Sequence, residues 1–522
     1  MVAVRSSSKR SWVVGAGVGF GVVALLGALA CATEEAPEGT MAPDTVGAAA
    51  DGNACQDSQP WAQGFQADHC TMADGGLPPI DPTLWPDVCT PQSSAGWTPT
   101  QTSFDQLSWR SLLALAWPAD PDDPGQPDTG QSLGAQQDGA FLATVWESYK
   151  SSQDLFGPGG AALTAEDFGE AGPVPRGCSA DGGRVLTMTS KVPLPAIRAV
   201  RAAGLLGAEA GAIGSIDQAF RGPLVDQDGK VVYYEIRIND VEYDAIVAAG
   251  APTKSPDELN CTGQYETPEC TPFTLPVGSI EVKAAWKQLT PEELASGTFF
   301  SRELQLAPEG GGGCTTVPMG LVGFHVARKT QHSLNVFGDK PQPSWAWSTF
   351  EHAGNVPPVG SAGEGRTWSF YDAACTPAVT AADCEQAAGT GDEPNPAPAF
   401  QCCPNLWRYP AGPPPAGASP DQITRLDEAP AATTTCNEVY ARTPLEIWGN
   451  YSLVSTQWPK VSEGPPAPGT ITPTYLRNTT LESYFTDWEN GVQVNRSSCM
   501  GCHFGSQAVD MSYLFLPNAG TE

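Results

Sequence analysis

The stretch Pro223-Leu-Val-Asp-Gln-Asp-Gly-Lys-Val-Val-Tyr-Tyr-Glu-Ile-Arg-Ile238 runs straight into Asn239-Asp-Val-Glu-Tyr-Asp-Ala-Ile-Val-Ala-Ala-Gly250. The first half reads as a hairpin turning at Asp228-Gly229, with β-branched and aromatic residues after the turn. The second half reads as a short helix capped by Asn239 or Asp240 and ended by Gly250. Strand and helix next to each other in one unbroken run predict a mixed α+β fold.

The neighbouring segments extend this pattern. Gly278 to Lys287 is a strand, Thr290-Pro291-Glu292-Glu293 opens a turn of helix with proline at its first position, and Phe299–Leu306 and Val317–Val326 are further strands. Upstream, Ser103 to Trp117 predicts a helix. Ser103 and Gln106 form a capping box, Leu107, Leu112 and Leu115 recur at helical spacing, and Pro118 stops it. Phe141 to Lys150 is a short helix or a buried strand. Residues 119–138 and 386–420 are Pro/Gly loops, and Glu446–Trp458 and Tyr475–Trp488 lead to the C-terminus.

Composition limits the function classes. A hydrophobic content of 41% with 15 Trp marks a folded chain, while 56 Gly and 49 Pro with only 16% charged residues predict many long loops. The net charge of −31 excludes nucleic acid and anionic lipid surfaces as partners and permits docking onto a basic redox partner. No G-x-S-x-G, H-E-x-x-H or phosphate-binding loop is present in the sequence.

The N-terminus predicts export. Arg5, Lys9 and Arg10 precede an apolar run from Trp12 to Ala30, closed by Ala28-Leu29-Ala30-Cys31. A cysteine after small residues resembles a bacterial lipoprotein signal, so Cys31 is the candidate lipidation site, although leucine is usual where Ala28 stands. Residues 1–30 are then a signal peptide and 31–52 a flexible tether. Residues 53–425 are the mixed body, and 426–522 form a C-terminal segment. Localisation is periplasmic, or at the outer membrane or cell surface as a lipoprotein, with membrane contact only through the lipid.

That last segment contains Cys499-Met500-Gly501-Cys502-His503, the Cys-x-x-Cys-His pattern of c-type haem attachment. Two thiols at this spacing reach two vinyl groups on one porphyrin edge, and the adjacent histidine gives the iron an axial nitrogen. With 15 Cys and 5 His in 522 residues, random placement yields only about 0.004 such patterns. Setting aside Cys31, Cys499 and Cys502 leaves twelve of the 15 cysteines, an even number that predicts up to six disulfides in an oxidising compartment. Cys261 with Cys270 and Cys375 with Cys384 are candidate local pairs.

Four pieces of sequence carry a wider resemblance: Ile280-Glu-Val-Lys-Ala-Ala-Trp286, Gly320-Leu-Val-Gly-Phe-His325 with Lys329-Thr330, Trp345-Ala-Trp-Ser-Thr-Phe-Glu-His352, and Asn478-Thr-Thr-Leu481 leading to Ser498-Cys-Met-Gly-Cys-His503. They resemble the large exported single-haem bacterial cytochrome c family proteins. The resemblance covers residues 100 to 515 and implies one covalent haem c, but no particular reaction.

His503 is the expected axial iron ligand, and a sixth ligand is sought first at His352 or His325, with Met511 and Met319 as weaker candidates. A filled sixth position makes an electron carrier serving a redox partner protein or a small-molecule donor or acceptor. An open one makes a peroxidase- or oxidase-type haem oxidoreductase, with Glu351 or His352 moving protons. The third reading is a haem-free, disulfide-rich surface lipoprotein.

Overall fold

A computed structural model describes residues 100–156, 224–251, 273–306, 313–332, 342–361, 366–375, 420–459, 471–490 and 492–503, with isolated positions between 77 and 512. The signal peptide, Cys31, the tether, the Cys261/Cys270 pair, the 386–419 loop and Met511 lie outside the described residues.

The frame is a sheet of nine strands, antiparallel except for one short pair. The edge pair β1 (Gln136–Gln137) and β2 (Ala140–Phe141) forms a separate small hairpin. In the main sheet, β3 (Lys150–Ser151), β5 (Tyr233–Ile238), β6 (Ile280–Gln288), β8 (Thr315–His332), β9 (Gln342–His352), β10 (Tyr451–Pro459) and β11 (Ile471–Thr472) follow one another in space as β11-β10-β9-β8-β6-β5-β3. β7 (Ser301–Leu306) pairs with the first part of β8 and, in parallel, with β4 (Val185–Leu186). β10 and β11 come from the C-terminal segment, so that segment and the body share one sheet. A last hairpin joins β12 (Thr486–Glu489) and β13 (Val492–Asn495).

Helices cover both faces. On the back face, α1 (Gln101–Leu115) and α6 (Ala431–Tyr440) pack against β10 and share one core with Val282, Ala284, Trp286, Phe324, Val326, Phe350 and Leu453. Trp109 of α1 stacks on Tyr440 of α6 at 4.9 Å and meets Phe350 edge-on at 5.2 Å. Such aromatic pairs add about 0.5–1.5 kcal/mol each beyond their buried area. Between them lie α2 (Val145–Ser148), α3 (Ser152–Phe156), α4 (Asp240–Ala248) and α5 (Pro291–Ser296), with α7 (Cys499–His503) last. α4 supplies Tyr243 and Ile246 to the front-face core with Ile236, Ile238, Ala327, Trp345, Trp347 and Met500.

The hairpin turn at Asp228-Gly229 is present, with Gly229 at φ 74°, a left-handed conformation that a side chain disfavours. Asn239 caps α4 by accepting the Glu242 amide. Thr290 and Glu293 form the box that opens α5 at Pro291. α1 differs from expectation. It starts at Gln101, and its box joins Thr100 with Ser103, whose hydroxyl accepts the Thr100 amide at 2.9 Å. Ser103 therefore closes the cap from inside the helix, and Thr100 is the capping residue. The Phe141–Lys150 segment is split into a strand end, the turn of α2 and the start of β3. Cys178 and Cys314 form a disulfide, and Cys375, Cys384 and Cys436 are also disulfide-bonded.

Candidate functional site

Strand register decides which residues meet. Directly opposed residues in antiparallel strands project to the same face. One row across the front face runs Ile238, Glu281, Ala327, Trp347, Gln457. The next runs Ile236, Lys283, His325, Thr349, Ser455, and the third Tyr234, Ala285, Gly323, Glu351, Ser452. The four pieces of sequence singled out above, distant along the chain, converge on these rows.

The Cys-x-x-Cys-His turn, α7, docks on the first row. Gln457 is fully buried. Its Oε1 accepts the Met500 amide at 2.8 Å, and its Nε2 donates to the Pro473 carbonyl at 2.8 Å and to Ser498 Oγ at 3.2 Å. Ser498 Oγ in turn accepts the Gly501 amide at 3.1 Å. Two backbone donors at the start of α7, which have no partner inside the helix, are satisfied in this way. Met500 is buried in the front-face core and Cys499 packs against it. The His503 ring lies 4.1 Å from that of Trp347, inclined by 51°. A side chain on Gly501 would press on Ser498 Oγ at 2.9 Å, so the glycine lets the Ser498 bond close.

The Asn478-Thr-Thr-Leu481 turn docks on the other two rows. Asn478 Nδ2 donates to Thr349 Oγ1 at 2.8 Å and to the Phe350 carbonyl at 2.9 Å, and its Oδ1 accepts from the Thr480 amide and hydroxyl. Glu351 Oε2 accepts from Thr479 Oγ1 at 2.8 Å and pairs with Arg425 at 2.5 Å. Glu482 Oε2 accepts the Asn478 amide at 3.0 Å and stands 3.4 Å from His325 Nε2. Burial pushes the Glu482 carboxyl up, but the His325 charge and hydrogen bond, Lys283 and the Asn478 amide outweigh it and hold the group below its usual range. Burial and the Glu482 carboxylate together push the Cys499 thiol far above its ordinary value. Cys499 is therefore held as a neutral thiol.

The sequence-predicted residues separate on this geometry. Cys499 and His503 sit together on α7, which also carries Cys502. His325 lies on the same face of the sheet, one row away from Trp347. His352 does not. It projects with Phe350 to the back face, stacks on Phe299 at 3.9 Å and meets Tyr451 at 5.3 Å. Five residues beyond Trp347, it is about 16 Å further along the strand. Both its ring nitrogens are engaged: Nδ1 accepts the Gly354 amide, leaving Nε2–H to donate to the Thr298 carbonyl at 3.1 Å. Burial lowers its pKa to about 4, so it is neutral. His352 is a core histidine. Met319 is fully buried in the back-face core. Glu351 is held by Arg425 and Thr479.

Gln457, Asn478, Glu482 and Lys283 escaped the sequence reading as site residues. Asn478 lay within a quoted piece, but a lone Gln in a strand gives no signal.

Cys499 is free, whereas Cys178, Cys314, Cys375, Cys384 and Cys436 are in disulfides. A free thiol, a second cysteine three positions on and a histidine next to it, on one helical turn, fit the donor set of a covalent haem. Among the described residues no cluster of three or more His, Cys, Asp or Glu could hold a bare metal ion, and no helix is long and apolar enough to cross a membrane. Comparison with protein-family models, characterised proteins and solved structures found no match.

Proposed function

We propose that this chain is an extracytoplasmic c-type cytochrome that transfers electrons through one haem held by Cys499, Cys502 and His503. The observation that carries the reading is the free Cys499 thiol, set in one helical turn with Cys502 and His503 while other cysteines of the chain are oxidised. Haem iron supplies a one-electron ferric/ferrous couple when bound. The chain's own residues hold the attachment turn still. Gln457 and Ser498 fix its amides, Met500 anchors it in the core, and Trp347 backs the His503 imidazole. Electron transfer needs a site that reorganises little, and a buried, fully bonded anchor such as Gln457 provides this.

The peroxidase-type alternative calls on Glu351 and His352. His352 faces away from His503, and Glu351 is already paired. The electron carrier is the better reading. The export signal and lipidation at Cys31 belong to the same proposal. So does a redox partner, protein or small molecule, with a basic protein surface suited to the net charge of −31.

The test is a pyridine haemochrome assay on protein matured in a host with cytochrome c assembly, with carbon monoxide added to the reduced form. One covalent haem c per chain and a low-spin spectrum indifferent to carbon monoxide are expected. Absence of covalent haem would leave the haem-free lipoprotein reading. A high-spin iron that binds carbon monoxide would turn the assignment to an oxidoreductase.

A further inference from the structure

Trp347 is only 5% exposed, and its indole Nε1–H has no hydrogen-bond partner among the described residues. A buried donor left unmade costs about 1–3 kcal/mol, so each one calls for an explanation. Trp146, Trp448 and Trp368 share the lack, but the first two lie in the back-face core and Trp368 lies outside the front-face core that holds Met500. Trp347 differs in position. Its ring rests on His503 at 4.1 Å and shares the front-face core with Met500 and Cys499. On the same strand and face, Trp345 sits 6.1 Å away, while Gln457, the other polar side chain beside α7, spends its amide on Pro473, Thr474 and Ser498.

We infer that the Trp347 indole N–H donates a hydrogen bond to the bound cofactor itself, to a carboxylate at the edge of the haem. This rests on the haem reading above. A haem carries two such carboxylates, which need donors if they are not to be left in an apolar setting, and an indole can donate but not accept. Trp347 is then a positioning residue with two tasks: its ring orients the imidazole, and its N–H fixes the rotation of the macrocycle.

The experiment uses the full chain, matured with haem and reduced. Indole N–H exchange with solvent is followed by nuclear magnetic resonance, against a Cys499→Ala/Cys502→Ala chain that cannot attach haem. Exchange at Trp347 is expected to be about tenfold slower in the loaded chain, the effect of one hydrogen bond of ordinary strength. Trp345 is expected to change little. Equal exchange at Trp347 in the two chains would overturn the inference. Should the unloaded chain fold poorly, resonance Raman of loaded Trp347→Phe decides. The phenyl ring lacks the donor, so the haem carboxylate bending mode, read per attached haem, is expected to shift. An unshifted mode would also overturn it. The haemochrome assay reads loading separately, so failure of the cytochrome assignment, which takes this inference with it, is distinguishable from failure of the Trp347 bond alone.

Discussion

Gly323 of β8 lies directly beneath Thr480: a Cβ at 323 would collide with the Thr480 hydroxyl and touch Asn478 Oδ1 at 3.0 Å. The Asn478 turn can lie flat on the sheet only because this strand position has no side chain. Through it are fixed Thr479 on Glu351 and Glu482 beside His325. The register of one glycine thus sets the polar half of the site.

Gly323→Ala is expected to destabilise the protein by about 1–3 kcal/mol, the range for overpacking a filled interior. Urea unfolding measures it. A midpoint equal to wild type would show that the turn does not need the glycine.

Gln457→Leu removes the acceptor of the Met500 amide and the donor to Pro473, Thr474 and Ser498. Leaving those buried groups unpaired costs about 1–3 kcal/mol each at most. Hydrogen exchange at the Met500 and Gly501 amides is the direct reading, and it is expected to speed up by tenfold or more while exchange in α1 stays as it was.

His325→Gln tests the remaining described candidate for the sixth iron position. Its Nε2 faces Glu482 at 3.4 Å, so the substitution is expected to leave the carbon monoxide response of the reduced protein unchanged. It is expected to lower stability by about 1 kcal/mol through the loss of a partner for a buried carboxylate. Carbon monoxide binding that appears only in the variant would identify His325 as the ligand.

Asp105 and His352 give opposite pH dependences. Burial raises the Asp105 pKa to about 6 against the lowering by Thr433, Gln101 and Thr456 hydrogen bonds, so the folded state binds the extra proton between pH 4 and 6. Stability from this group therefore falls as pH rises through that window, by about 3 kcal/mol, and levels off above it. His352, lowered to about 4 chiefly by burial, does the reverse: the unfolded chain binds the proton between pH 4 and 6.5, so its contribution grows with pH. Asp226, also raised to about 6 by burial, adds to the fall. Asp105→Asn is expected to make the slope of stability against pH between 4 and 6 more positive than in wild type, and His352→Gln to make it more negative. Thermal unfolding at successive pH values checks both, and parallel profiles would refute the assignment.

The local pieces of this protein were legible because their causes are local. Asp228-Gly229 turns the hairpin, Asn239 and Thr290 cap their helices, and Cys499, Cys502 and His503 announce their chemistry by spacing alone, since five consecutive residues fix their own geometry. The α1 cap slipped by three residues because Thr100 and Ser103 can each serve as an oxygen cap, and the choice depends on which one the helix axis leaves at the sheet. The reading of His352 needed more. Its neighbours Trp345, Trp347 and Glu351 belong to the front face, and only the side-to-side alternation of β9, fixed by pairing with β8 and β10, puts His352 behind the sheet.

Local residue order was enough for the hairpin turn, the caps at Asn239 and Thr290 and the haem-type motif near the C-terminus. Which residues stand around that motif is a matter of the folded sheet. The partners of α7, Gln457 and Trp347, are 43 and 156 residues upstream of Met500 and His503 respectively. Nothing in the local sequence encodes which face of which strand they share. That is set by hydrogen-bond register across the sheet, where a shift of one residue would send every side chain to the other side.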